Sequence, residues 1–284
     1  MSDITLINDS EQSSLVTNGL AKNGELYLKK AGSTDAGAIV VYDSGSWRTF
    51  ANEYAPAGFA NTYSVAFDGS NDYINIPHDS SLTIAGDLSI SAWVYRDSTD
   101  TGYLPILVKR SGSASATTYQ FYVDFITGGG LLRFYNGSSA LSPSGGTSIP
   151  TNQWAHVALT IESGVTNGTK WYVNGTAESS TNTFTINKSN TAAATIGRLG
   201  STSNYYAKGK IDEVGLFGSV LTASDITAIY NSGVPGDLTS YSPVGWWRMG
   251  DNDSGTGTTI TDQGSGGNNG TLTNGPTFST DIPS

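Results

Sequence analysis

The acidic residues are the first place to look for chemistry. Hydrolysis of a glycosidic bond takes two carboxylates held several ångströms apart on either side of that bond. The chain has six glutamates. Asp212 and Glu213 are adjacent in an extended segment, where successive side chains leave opposite faces, so they are expected to point apart. Asp124 and Glu162 fall on predicted strands, and the plain reading of each is a solvated or capping carboxylate. His78 lies in a Pro-His-Asp-Ser turn and His156 lies mid-strand, and with no cysteine in the chain and no second histidine nearby, neither has metal-ligand spacing. His156 is expected to be a packing residue that finds a backbone partner. Gly128-Gly129-Gly130 and Gly264-Ser265-Gly266-Gly267 lack the Lys-Ser/Thr ending of a phosphate loop and read as turns.

Two stretches are dense in oxygen donors. Asp68-Gly69-Ser70-Asn71-Asp72 has the composition of a tight turn whose side chains bond their own backbone, and equally of a loop that surrounds a hard cation. Asp251-Asn252-Asp253-Ser254-Gly255 through Asp262 matches an EF-hand loop poorly, because Thr256 stands where glycine is needed and Asp262 replaces the bidentate glutamate. Aromatic residues offer a different chemistry, the stacking of sugar faces. Among 15 tyrosines and 6 tryptophans, Tyr103, Tyr119, Tyr205 and Tyr206 fall in or beside loops, whereas Trp93, Trp154 and Trp171 on strands are expected in the core. Tyr205 and Tyr206, next to Asn204 in a Ser-Thr-Ser-Asn loop, are the candidate glycan contacts.

The elements that position these residues are strands. Leu88, Ile90, Ala92 and Val94 alternate with Ser89, Ser91, Trp93 and Tyr95, and a period of two puts each set on its own face. The alternation recurs at 119–125, 154–161 and 170–173, and Asn174-Gly175 is a strong hairpin turn. One helix is predicted after Thr222, an N-cap with Asp225 three residues on, carrying Ile226, Ile229 and Tyr230 on one stripe and stopped by Gly233. Before residue 60 the pattern is fragmentary, with candidate strands at 25–29 and 38–42 and a turn at 43–46. Residues 1–60 are therefore read as a small β-hairpin segment for attachment or oligomerisation, and 61–284 as the main domain.

Composition sets limits. Only 13% of residues are charged while 35 are glycine, a profile of many short strands and turns. A net charge of −10 repels phosphate backbones, so no nucleic-acid partner is expected. The absence of cysteine excludes disulfide-stapled scaffolds. Met1 to Thr5 has neither the basic flank nor the apolar stretch of a signal peptide, and no run of about 18 apolar residues occurs. The expectation is synthesis in a cytoplasm without membrane insertion.

Several segments resemble a known family. Phe67 to Pro77 looks like the opening hairpin of the laminin-G-like and pentraxin-like group, and Leu88 to Val94 like its next strand. Gln153 to Ala158, Trp171 to Gly175, Ile196 to Arg198 and Ile211 to Val214 follow in the family's order. The resemblance implies an all-β fold: a concanavalin A-like jelly-roll sandwich of two antiparallel sheets with one short helix, beside a small N-terminal β module. Glucanases of this architecture carry a Glu-x-Asp-x-x-Glu strand, which is missing here, so the chain is expected not to be an enzyme. Some relatives hold Ca²⁺, and the family pattern implies that the 68–72 turn approaches Asp212, which makes Asp72, Asp212, Asn71 and Ser70 the candidate ligands. Residues 244–251 and 267–272 resemble the segment that precedes the Phe-Asp-Gly hairpin in the family. Here they come last, so 236–284 is expected to complete the sandwich in permuted order. Gly37 to Asp43 followed by Trp47 to Phe50 resembles short β elements of bacteriophage virion proteins. The resulting expectation is a virion structural protein, a capsid decoration, spike or fibre-associated subunit made in the host cytoplasm. Its partners would be other virion proteins, further copies of itself and a cell-surface glycan. The alternative is a bacterial surface carbohydrate-binding adhesin module, and a glycoside hydrolase ranks third.

Overall fold

The computed structural model describes residues 59–112, 117–127, 129–200 and 205–284, together with four short strands before residue 50. The chain divides into two compact units, Met1–Ala60 and Asn61–Ser284. In the first, β1 (Thr5–Ile7), β2 (Leu26–Lys29), β3 (Ile39–Asp43) and β4 (Ser46–Thr49) form one sheet in that order. The turn between β3 and β4 lies outside the described residues at positions 44 and 45.

The second unit is a sandwich. Its strands in chain order are β5 (Ser64–Asp68), β6 (Tyr73–Ile76), β7 (Leu88–Arg96), β8 (Tyr103–Arg110), β9 (Thr117–Asp124), β10 (Leu131–Tyr135) and β11 (Ala140–Leu141). They are followed by β12 (Trp154–Ile161), β13 (Thr169–Val173), β14 (Thr176–Asn182), β15 (Ala194–Ile196) and β16 (Lys208–Phe217). After the helix α1 (Ala223–Tyr230) come β17 (Gly245–Trp247), β18 (Thr259–Ile260), β19 (Gly270–Thr273) and β20 (Thr277–Ser279). One sheet runs β11-β10-β9-β8-β15-β6-β19-β18; the other runs β14-β13-β12-β7-β16-β5-β20, with β17 also paired to β16.

The period-two pattern explains where the core sits. Leu88, Ile90, Ala92 and Val94 on β7 face Leu107, Phe121, Phe134 and Ile74 of the opposite sheet in one apolar cluster, all of them fully buried. Trp171 joins that core. Trp93 and Trp154 do not, since they share the opposite phase of their strands. Trp93 lies beneath α1, its ring stacked 5.7 Å from that of Tyr230, and Trp154 is half-buried on the outer face. Tyr119 is a core residue, not a loop residue.

Helix α1 starts with the capping box expected of its sequence. The Asp225 N–H donates to Thr222 Oγ1 at 3.2 Å and the Thr222 N–H donates to Asp225 Oδ2 at 2.8 Å. It stops two residues before Gly233, at Asn231, which takes the left-handed conformation itself. Against the face of β7 and β12 beneath the helix, His156 is fully buried, and its Nε2 lies 2.8 Å from the hydroxyl of Ser91 rather than against a backbone group. Burial pushes its pKa down to about 3, so the ring is neutral.

The C-terminal segment is woven into both sheets. Trp247 of β17 pairs with Val214, Leu272 of β19 with Ile74, and Phe278 of β20 with Val65. The Trp247 indole is fully buried, and its N–H donates to the carbonyl of Asn268 at 2.8 Å.

Candidate functional site

Outward phases of the β8-β9-β15-β6 region assemble an aromatic surface. On β9 the core takes Tyr119, Phe121 and Val123, which turns Gln120 and Tyr122 outward. Tyr103 at the start of β8 packs edge-on against Tyr122, with centroids 5.3 Å apart. Tyr205 packs edge-on against Tyr103 at 4.8 Å and remains 46% exposed, a large aromatic ring open to solvent.

The loop that presents Tyr205 leaves the sheet at Gly197 and is closed at its base by bridge pairing between Arg198 and Tyr206. Gly197 has φ +82°, and a Cβ there would lie 2.5 Å from the Phe67 ring, so only glycine lets the loop turn. The Leu199 N–H donates to the Tyr205 carbonyl at 3.1 Å. The two adjacent tyrosines go to different partners. Tyr205 lies on Tyr103, while Tyr206 lies under the Arg198 guanidinium, which is 5.6 Å from its ring and 5.0 Å from that of Tyr73. Tyr73 is outward because Ile74 and Ile76 take the inner phase of β6. Asn204 lies outside the described residues.

The edge of this belt is polar. Asp124 is fully buried and accepts from the N–H groups of Ile126 and Thr127 at 3.0 and 2.9 Å and from Arg133, which stands beside Tyr122 in the register. Burial raises the phenol of Tyr122 to about 12 and raises that of Tyr103, so both keep their protons at neutral pH and can donate hydrogen bonds. The exposed Tyr205 ring, beside half-buried tyrosines that carry phenol donors, suits the apolar face and hydroxyl rim of a sugar ring. Strand phase turns Tyr73 and Tyr103 outward, but no local pattern announces the pairing of Arg198 with Tyr206 or the contact of Tyr205 with Tyr103.

Of the four residues proposed as ion ligands, Ser70, Asn71 and Asp72 share one turn, and Asp212 lies apart from it. Asp72 Oδ2 accepts from the Asp68 N–H at 3.1 Å, and Asp68 Oδ1 accepts from the Ser70 N–H at 2.7 Å, the bonds of an Asx turn. The register pairs Asp68 with Lys208, so Asp212 lies four residues, about 13 Å, further along β16. Carboxylates that share one calcium lie within about 5 Å of each other. Asp212 spends its oxygens on the Asn61 amide and the Glu213 N–H, both at 2.9 Å. Among the described residues no group of three or more acidic or histidine side chains is placed to hold a metal. Asp253 and Asp262 in the second oxygen-rich loop likewise accept from backbone N–H groups of Thr261 and of Trp246, Gly264 and Asn268.

Asp212 and Glu213 do not point apart. A bulge interrupts the β16–β7 register between Asp212 and Gly215, and Glu213 takes φ +47°, which turns its side chain off the strand alternation. Both carboxylates are buried. Glu213 accepts from the Trp246 indole N–H at 2.6 Å and from Arg248 Nε at 3.0 Å, and Arg248 Nη2 donates to Asp251 at 3.0 Å. Burial raises Glu213 to about 7 and raises Asp212 well above the carboxylate range, with mutual repulsion adding to the effect on Asp212. Glu213 anchors the C-terminal segment through Trp246 and Arg248, while Asp212 holds Asn61 at the start of the sandwich unit. Asp124 and Glu162 lie in different sheets, Asp124 at the end of β9 and Glu162 in the turn after β12.

A family model for the concanavalin A-like lectin/glucanases superfamily matches residues 68–227, more than half of the chain. The chain belongs to this superfamily. This lectin/glucanase-type chain has no match among curated protein sequences. Among solved structures it is similar to a candidate carbohydrate-binding protein from Bacteroides ovatus, at 20% identity and a TM-score of 0.62, over 92% of this chain and 71% of that one. It is also similar to domain 4 of an extracellular arabinanase from Geobacillus stearothermophilus, solved with arabinotriose, at 18% identity and a TM-score of 0.46, over 76% of this chain and 95% of that one. A heptameric pentraxin from Limulus polyphemus matches at 14% identity and a TM-score of 0.46, over 60% of this chain and 82% of that one.

Proposed function

We propose that the chain is a non-catalytic glycan-binding protein that holds a sugar ring on the Tyr103–Tyr205 platform. The observation that carries this reading is the exposed Tyr205 ring braced edge-on by a half-buried tyrosine, with Tyr73, Tyr206 and Arg198 alongside. A braced ring loses little conformational freedom when it stacks on a ligand. A binding role without catalysis is supported by Asp212 and Glu213, the adjacent carboxylates, which are buried and committed to Trp246, Arg248 and Asn61.

Within this reading the chain is displayed on a tailed-phage virion as a decoration, spike or fibre-associated subunit. Residues 1–60 dock or oligomerise, and the sandwich meets a host-surface glycan. The separate four-stranded N-terminal unit supports it, together with the resemblance of residues 37–50 to virion β elements. The second reading is a bacterial surface carbohydrate-binding module, favoured by the fold shared with the Bacteroides ovatus protein over most of this chain. A glycan array probed with the intact chain and with Tyr205→Ala tests the binding claim. Signal that Tyr205→Ala removes supports it, and background signal from the intact chain presented at high valency contradicts it. Mass photometry and negative-stain imaging separate the two settings: the virion reading expects an oligomer that associates with particles, and a strict monomer that joins none overturns it.

A further inference from the structure

The opposite sheet carries a second candidate surface, away from the tyrosine belt. Cross-strand register lines up Trp154, Tyr95, Lys210 and Ala66 in one outward row across β12, β7, β16 and β5. Beside Tyr95 and Lys210 lies a groove of about 330 Å³, lined also by Ala66, Asp97 and Lys208. Its lining includes the small Ala66 and Gly209, which has φ +144° and a Cβ position only 2.0 Å from the Tyr95 carbonyl, so the strands pair there only with glycine.

The polar group at this row comes from the end of the chain. Asp281 accepts from the Trp154 indole N–H at 3.0 Å and from Lys210 Nζ at 2.8 Å, one bond to each oxygen, yet its side chain stays 49% exposed. Each oxygen keeps a lone pair for a hydroxyl. Partial burial raises the pKa of this carboxyl, but the hydrogen bonds from Lys210 and Trp154 outweigh it and hold the group ionised. Lys210 Nζ also sits 4.0 Å from the Tyr95 ring centroid, and the Tyr95 and Trp154 rings meet edge-on at 5.7 Å. We infer that this row is a second saccharide site, which takes a neutral sugar ring against Trp154 and Tyr95 with two adjacent hydroxyls on the carboxylate of Asp281. The charges argue for a neutral ligand: Lys210 is already neutralised by Asp281, and Asp68 and Asp97 outnumber the remaining Lys208 around the groove. The site is incomplete without the C-terminal residues, which gives the last strand segment a binding role. One chain then offers sugar contacts on both outer faces of its sandwich.

The test uses the full chain carrying Tyr103→Ala and Tyr205→Ala, which silences the belt, so that this site succeeds or fails apart from the function proposed above. Cellotriose, xylotriose and maltotriose are added one at a time at about 10 mM, a range suited to weak single-ring binding. The indole ¹H–¹⁵N resonance of Trp154, assigned with Trp154→Phe, is followed by NMR. The expected result is a saturable shift with at least one of the three, weakened about tenfold by Asp281→Asn because the hydroxyls lose a charged acceptor. A Trp154 resonance that none of them moves, or binding that Asp281→Asn leaves unchanged, overturns the inference.

Discussion

The indole N–H of Trp246 lies 2.6 Å from Oε2 of Glu213, a hydrogen bond between the C-terminal strand β17 and the bulge of β16. It ties the tail to the sandwich through a carboxyl that burial raises from 4.5 to about 7. Because the folded protein holds this proton more tightly than the unfolded chain, the contribution is fully present below about pH 4.5 and is lost as pH rises towards 7. Glu213→Gln keeps an acceptor for Trp246 but cannot ionise. The stability of this variant relative to the parent is expected to rise between pH 4.5 and 8. Urea denaturation of both proteins at a series of pH values checks this; a difference that stays constant with pH contradicts it.

Trp247 carries the same attachment through packing. Its ring is fully buried between the sheets, so Trp247→Ala is expected to cost about 3–5 kcal/mol and to lower the melting temperature by roughly 10 °C. Calorimetry reads this directly. A loss under about 1 kcal/mol would show that the tail lies on the core without being part of it.

Much of the sandwich was legible because its inner and outer phases differ in polarity. Leu88 to Val94 reads correctly from alternation alone, and the helix is announced by Thr222 and Asp225. The misplacement of Trp154 was avoidable, since it shares a phase with His156 and not with Ala155, Val157 and Leu159 of the core. The bulge at Glu213 is only faintly marked: glutamate rarely takes positive φ, and the local sign of a break, Gly215, stands two residues further on. The tyrosine belt was half legible: Tyr205 stands out as a loop aromatic, but its bracing by Tyr103 joins residues about a hundred positions apart, a distance that local patterns do not span.

The geometry of Asp72 and Asp212 makes a prediction about calcium. Their carboxylates serve separate stretches of backbone about 13 Å apart, too far for one ion to bridge. The melting temperature is expected to stay the same in excess chelator once calcium removal has been verified. A fall of several degrees would place an ion in the fold.

The proposed sugar site is the Tyr103–Tyr205 platform. Its most direct measurement is isothermal titration of the strongest glycan from the array into the intact chain and into Tyr205→Ala. Tyr205→Ala, which removes an exposed ring and little core packing, is expected to weaken binding by at least about tenfold with an unchanged melting temperature. Equal affinity in the two proteins would contradict it.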